Sequence, residues 1–591
     1  TTEIYTLSLH DALPILGQTD KAKAVIDAID GGANDPGLSV LRGQVALKRG
    51  DFSGARAQLA KAISQGANDP GVFLDLASSE ERLGDASAMF EALGKAAALD
   101  KSSTGADLLL INAYIRNQRY DDAFKAVEGL ARKQSNPALA HNVRGVIHSA
   151  RRDFQQARAS FEKALELDPK FVDAASNLAY LDIQAKDFKS ARSRFQHVLK
   201  HAPNDSRAWL ALAKIATVQK DEAGVRENLE QAKRADSKNV DARQLLVRYW
   251  LGKNNIGFAL QEAREALAAT GEPGFHELIG LALAQQGDKA GALEAFERWA
   301  HDKPDLPQAW TRVGQAQAML GQRKEALRTL DKAIALRPDA FAALASKMAV
   351  LAEDGRPNES IKLAQSLQSR YPDQVIGYVG EADALAAQQQ WLAAARLYTR
   401  SARMAGSSRL IAKAAQTYAR AGATSEGIAT LQQWLKASPA DQAIRRELAM
   451  THEKAGQRRE AIEHYRLLLR SDPADMVAAN NLALLLFAEK DPGAVAAAEQ
   501  AYKLKPDSPY VRDTLGWILV HSGQAPRGIK LIKQAFDTMP ESLELHWHYA
   551  AGLAAMGEPT LARFELERLL NRGQRFPQEA DARKLLASLR G

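Results

Sequence analysis

Close to the carboxyl end, a short stretch of chain carries amides at Asn480 and Asn481, a phenol at Tyr510, a carboxylate at Asp513 and a hydroxyl at Thr514. It also carries indoles at Trp517 and Trp547 and imidazoles at His521 and His548. Amides and carboxylates fix hydroxyl or backbone groups by hydrogen bonds, and indole faces stack on apolar surfaces. The set therefore suits an extended peptide or a sugar chain. In the alternative reading, Trp517 and Trp547 only pack and the two asparagines are only solvated. A second group, Tyr180, Lys214 and Arg248, has the makings of a basic stripe, with solvated surface as its own alternative.

None of these groups makes a catalytic constellation. A nucleophile needs a base and an orienting group held beside it, yet the chain has no Gly-rich phosphate loop, no G-x-S-x-G elbow and no H-E-x-x-H pair. His276-Glu277 lacks a second histidine one turn later. His546-Trp547-His548 resembles a metal pair, but residues two apart on a helix point to different sides, leaving two polar positions around a packed aromatic. Glu80-Glu81 and Asp121-Asp122 read as exposed helix or turn residues. No enzyme activity, cofactor or metal is expected.

Composition narrows the classes further. The chain has no cysteine, which removes disulfides, Cys-based zinc sites and thiol nucleophiles. Its 78 basic residues face 71 acidic ones, a formal charge of +7, with the two signs interspersed and no basic block. Nucleic acid is not an expected partner. No apolar run reaches the roughly 18 residues of a membrane span.

The elements that would position these side chains are set by a repeat. A turn signature recurs at Gly50, Gly84, Gln118, Arg152, Lys186, Lys220, Asn254, Gly287, Gly321, Gly355, Gln389, Gly422, Gly456, Lys490, Gly523 and Gly557. Neighbouring marks lie 34 or 33 residues apart. In one unit, Ala175, Leu178, Ala179 and Ile183 recur at helical spacing, Lys186-Asp187-Phe188 breaks the helix, and Ala191, Phe195 and Val198 begin a second stripe closed by Pro203. Small residues such as Gly43, Gly145, Gly314 and Gly516 in first helices, and Ala157, Ala191 and Ala562 in second helices, allow close approach. Closing prolines such as Pro203, Pro304, Pro372 and Pro506 cannot donate the next helical hydrogen bond. Hydrophobic content of 46% with only 6% aromatics fits helix-on-helix packing. The expected fold is all-α, an α-solenoid of about sixteen stacked hairpins.

These marks, with the large residue near the start of the first helix at Phe73, Trp209, Trp310 and Tyr378, resemble the tetratricopeptide repeat from about Gly17 to about Gly573. The resemblance implies a right-handed superhelix whose concave groove, lined by first helices, binds proteins or extended peptides. Counting the turn residue as position 15, positions 2, 5, 6, 9, 12 and 13 of each first helix should face that groove. The projection places there Asn480 and Asn481, then Tyr510, Asp513, Thr514, Trp517 and His521, then Trp547 and His548. It also aligns Tyr180, Lys214 and Arg248 at position 9 of successive units. Chaperone-binding relatives hold a terminal carboxylate with lysine, asparagine and arginine at set positions. Here position 6 is asparagine only at Asn177 and Asn481, without the basic partners beside them, so that clamp is not expected.

The two ends depart from the period. Residues 1–15, with Thr6-Leu7-Ser8-Leu9-His10-Asp11-Ala12-Leu13-Pro14-Ile15, lack the small residues of a first helix and resemble the translation of a sequencing-library adapter. They are expected not to be native, with residues 16–574 forming the solenoid and 575–591 a capping helix. In that helix Leu585, Leu586 and Leu589 face the array, and Glu579, Asp581, Arg583 and Lys584 face water.

The tail, from Asn480-Asn481-Leu482-Ala483 through Asp513-Thr514-Leu515-Gly516-Trp517 to Phe576-Pro577, resembles the end of the repeat lipoproteins of exosortase and PEP-CTERM systems. That resemblance implies a periplasmic scaffold of the bacterial envelope, lipid-anchored upstream, whose partners serve exopolysaccharide export or surface-protein sorting. The alternatives are a cytoplasmic adaptor or co-chaperone binding peptide segments, and the solenoid arm of a glycosyltransferase.

Overall fold

The computed structural model describes Ile26 and residues 35–590, apart from 102 and 134–136. Residues 1–15 and most of the hairpin around Gly17 lie outside the described residues, as do the expectations placed on them. The described residues form 33 helices and no strand. The chain divides into two compact units, Thr1–Ala295 and Phe296–Gly591, and the division falls inside the helix Lys289–Asp302. Within each unit consecutive helices pair antiparallel as hairpins, and each hairpin stacks on its neighbours in sequence. Each unit is thus an α-solenoid of the expected kind.

The hairpin Val172–Gln184 and Phe188–His201 shows how the sequence produces this. Lys186 adopts the left-handed conformation, φ 61°, which reverses the chain. Its N–H bonds Ile183 O at 2.9 Å and the Asp187 N–H bonds Asp182 O at 2.8 Å, so the last carbonyls of the first helix are satisfied. Asp187 then caps the second helix, accepting from Ser190 N at 3.0 Å. The same aspartate cap recurs at Asp51, Asp85, Asp221 and Asp288. Between the helices, Leu178 and Phe195 fill a buried seam with Ala175, Ala191 and Val198.

Every one of the sixteen turn marks has a positive φ. Nine are glycines, which adopt this conformation without strain, and seven are not: Gln118, Arg152, Lys186, Lys220, Asn254, Gln389 and Lys490. A side chain there carries a Cβ against the following carbonyl, at a cost of about 1–2 kcal/mol, part of which glycine gives back through its larger entropy loss. Lys186→Gly is therefore expected to stabilise its hairpin by roughly 0.5–1 kcal/mol. A urea melt followed by circular dichroism measures it, and a loss of stability would show that the Lys186 side chain supplies more than the strain costs.

The small residues of the first helices are required by contact distance. A Cβ on Gly145 would stand 2.4 Å from the Phe161 ring, and on Gly314 2.7 Å from Leu330 Cγ. In three units the large residue near the start of the first helix ties it to the loop before it. Trp209 Nε1 donates to Pro203 O at 2.8 Å, Trp310 Nε1 to Pro304 O at 2.7 Å, and Tyr378 OH to Pro372 O at 3.4 Å. In later units Arg445 and Arg512 donate to Pro439 O and Pro506 O from the same register position.

The helix Glu579–Ser588 packs through Ala582 and Leu586 onto Trp547, Leu566, Leu569 and Phe576. Leu585 and Leu589 lie partly buried against the same cluster.

Candidate functional site

Three successive first helices, Gln442–Lys454, Met476–Ala488 and Pro509–His521, place position 9 of each unit at Met450, Leu484 and Trp517. Met450 and Leu484 are exposed and Trp517 is half-buried, so an apolar line runs from unit to unit along one face. Val477 and Tyr510, both at position 2, flank it, Tyr510 being 64% exposed. Sequence reasoning found Trp517 and Tyr510 but missed Met450, Leu484 and Val477. The signal was available, because position 9 had already aligned Tyr180, Lys214 and Arg248.

Trp517 is held by imidazoles on two helices. The His548 ring, from the helix Leu543–Ala555, stacks on its indole at 4.2 Å between centroids and 22° between planes. His521 lies against it at 4.3 Å, and Phe487 meets His521 edge-on at 5.6 Å. Asp513 fixes His548, with its two carboxylate oxygens 3.0 and 2.8 Å from Nδ1. The indole thus has a set orientation.

The structure corrects several positions of the projected groove. Trp547 is buried in the core with Phe576 and Leu586, because at position 5 its indole points between the last hairpin and the final helix. Thr514 and Asp513 are also buried, Asp513 through its pairing with His548. Asn481 is half-buried and its amide donates to the Tyr465 hydroxyl at 3.0 Å, which in turn bonds Glu453 at 3.2 Å. It ties two units together. Burial pushes the Tyr465 phenol up to about 12. Asn480 is half-buried too, and its carbonyl oxygen is itself buried without a hydrogen-bond partner, so it does not face an open groove.

His546 and His548 diverge. His546 is fully buried, stacked on Phe536 at 4.6 Å and bonded to Glu565 at 2.9 Å, and burial lowers its pKa. Glu80, read from sequence as exposed, is buried with Arg56 at 3.7 Å. It occupies position 11, which faces the core in most units.

A second histidine pair joins the Met450 helix to the helix Arg458–Ser471 that follows it. His452 and His464 stack at 5.6 Å and 11°, with Gln457 on His452 Nδ1 at 2.6 Å. Burial, then the charges of His452 and Arg445, lowers His464 to about 4. The unfolded chain, with histidine near 6.5, takes up protons first as pH falls. Stability contributed by neutral His464 is therefore full above about 6.5 and is lost between there and about 4. Because His464 is only partly buried, the loss is expected to be about 1–2 kcal/mol. Urea melts at both ends of that window should show a smaller acid loss in His464→Gln than in wild type; an equal loss would assign the effect to other groups.

In the amino-terminal unit, Tyr180, Lys214 and Arg248 are all exposed. Lys214 and Arg248 line one cleft, and Tyr180 stands on the preceding first helix outside it.

Family profiles described as tetratricopeptide repeat match residues 149–215 and residues 108–171, 245–307 and 446–509. Over 264 residues the chain is 24% identical to Superkiller complex protein 3 of Mus musculus, covering 43% of this chain and 17% of that protein. Over 224 residues it is 23% identical to Anaphase-promoting complex subunit 3 of Schizosaccharomyces pombe, covering 38% of this chain and 32% of that protein. The chain thus spans no more than about a third of the length of either relative. Among solved structures, the APC/C hetero-tetramer Cut9-Hcn1 aligns with a TM-score of 0.37 and 16% identity, covering 94% of this chain and 96% of that one. YrrB, a TPR protein with an unusual peptide-binding site, aligns with a TM-score of 0.26 and 24% identity, covering 32% of this chain and 97% of that one.

Proposed function

The chain carries tetratricopeptide repeats, and from that premise we propose that it is a non-catalytic scaffold holding an extended segment of a partner protein along the first-helix face of residues 442–555. The observation that carries this is the line of exposed Met450 and Leu484 and half-buried Trp517, with Trp517 oriented by His548 and Asp513. Apolar side chains of the partner seat on that line. His521, exposed at its edge, offers a hydrogen bond to a peptide backbone.

Peptides selected from a displayed library on the wild-type chain are expected to lose about tenfold or more in affinity on Trp517→Ala, with helical content unchanged. Equal affinity for wild type and variant would remove the site. Met450→Ala should show a smaller loss in the same assay.

The finer assignment, scaffolding in the bacterial envelope for exopolysaccharide export or surface-protein sorting, is supported by the resemblance of the carboxyl-terminal strings to repeat lipoproteins of exosortase systems. A second reading, a cytoplasmic adaptor, is supported by the similarity to Superkiller complex protein 3 and Anaphase-promoting complex subunit 3, each part of a protein complex. Resequencing the source locus around and upstream of Gly17 separates them. A lipid-attachment cysteine beside exosortase and polysaccharide genes fits the first, and native sequence without an export signal fits the second.

A further inference from the structure

A cleft of about 550 Å³ opens among the helices Ser206–Val218, Glu222–Ala235 and Val240–Gly252, remote in sequence from the Trp517 face. Its floor is apolar: Ala213 and Leu229 are buried, and Val225 and Leu245 are half-buried. Its rim is cationic, with Lys214, Lys220, Arg248 and Lys253 against a single carboxylate, Glu222. That carboxylate is already paired with Lys253. Among the described residues, no carboxylate stands within ion-pair distance of Lys214, Lys220 or Arg248. Three cations without an ion pair thus flank an apolar floor.

From this geometry we infer that the cleft is a second binding site, whose ligand is an acidic peptide segment that seats one apolar side chain among Val225, Leu229 and Leu245. Its flanking carboxylates pair with Lys214 and Arg248. The two halves of the site select against other anions. A polyphosphate or nucleic acid would use the cations and leave the floor unoccupied, and the chain offers no basic run along which to extend it. Free carboxylates or phosphate would gain nothing from Leu245. A peptide with leucine between glutamates satisfies both halves, and its chain can continue over the preceding first helix, where Tyr180 is 60% exposed. The Tyr249 hydroxyl, also at the cleft, adds a donor. Cations at an open rim raise the association rate and make it fall with salt.

This inference rests on the chain being a peptide-holding array, but on a different site from Trp517, so the two can fail separately. The probe is a fluorescein-labelled peptide of alternating glutamate and leucine, followed by anisotropy against the full chain. It should bind wild type and Trp517→Ala equally, weaken with added salt, and lose about tenfold or more on Lys214→Glu combined with Arg248→Glu. Replacing its leucines with serine should weaken it several-fold. If the double reversal lowers helical content, Lys214→Gln with Arg248→Gln carries the same comparison, with a smaller loss expected. Absence of wild-type binding, binding unchanged by the charge substitutions, or equal binding of the serine peptide or of inorganic polyphosphate would overturn the assignment. Loss on Trp517→Ala would place the peptide on the other face and overturn it as well.

Discussion

Glu262→Ala is expected to destabilise the hairpins around it by about 3–5 kcal/mol. Glu262 is buried in the helix Ile256–Thr270, where one oxygen accepts from Arg243 Nη1 at 2.7 Å and the other pairs with Lys233. Arg243 is buried as well, and its Nε donates to Ser237 O at 2.7 Å. The cluster joins the second helix of one unit to both helices of the next. Removing the carboxylate leaves the guanidinium in the interior without its counter-charge, and that penalty exceeds the worth of the hydrogen bonds themselves.

Because each hairpin touches only its neighbours, the loss should surface as an early urea transition involving part of the helical signal. Glu262→Gln keeps the acceptor and should cost less. Arg243→Leu with Glu262→Leu, which removes both charges, should recover most of the loss. If Glu262→Ala melts like wild type, water reaches the cluster and the burial argument fails. The comparable cluster at Asp182, with Arg158 at 2.6 Å and Arg194 at 3.2 Å, should cost less to break. There the arginine side chains are 35% and 28% exposed and can rehydrate.

The second large effect is expected at Gly516. Its helix meets the helix Ala525–Thr538 backbone to backbone: a Cβ on Gly516 would lie 2.7 Å from Gly528 O, and one on Gly528 would lie 2.5 Å from Gly516 O. No rotamer change relieves contact with a carbonyl, so Gly516→Ala must push the helices apart, at about 1–3 kcal/mol or more. Gly380 gives the contrast. Its added Cβ would meet only the end of Met348, 2.4 Å from Sδ, and that flexible side chain can move aside. Thermal melts of Gly516→Ala and Gly380→Ala should therefore differ clearly, and equal melting temperatures would contradict the close approach. Since Gly516 adjoins Trp517, the first variant should also weaken peptide binding.

The parts of this fold that were legible in the sequence are those built from local backbone chemistry. Lys186 could be marked as a turn without being glycine because its neighbours, Asp187 as cap and Ala191 as close-packing residue, recur at the same offsets in other units. Asn481 shows the limit. As an amide at a projected surface position it looked like a binding group, and only the neighbouring unit's Tyr465 made it a structural tie. Trp547 shows it again, since a helical wheel gives its direction but the helix Glu579–Ser588 decides that the direction is covered. Glu262 carried a readable sign that went unused: it follows Ala259 by three residues and precedes Ala266 by four, on the stripe that is buried.

By itself the sequence determined the period, the left-handed turns, the small residues at the helix seams and the all-helical class, because each follows from short-range sterics repeated many times. Tertiary structure alone decided which of the projected side chains are open and which are covered. The stacking of His548 on Trp517, the bond from Asn481 to Tyr465 and the covering of Trp547 by the last helix each join residues from different elements. Their meeting depends on how one unit is set against the next, and no local pattern encodes that offset.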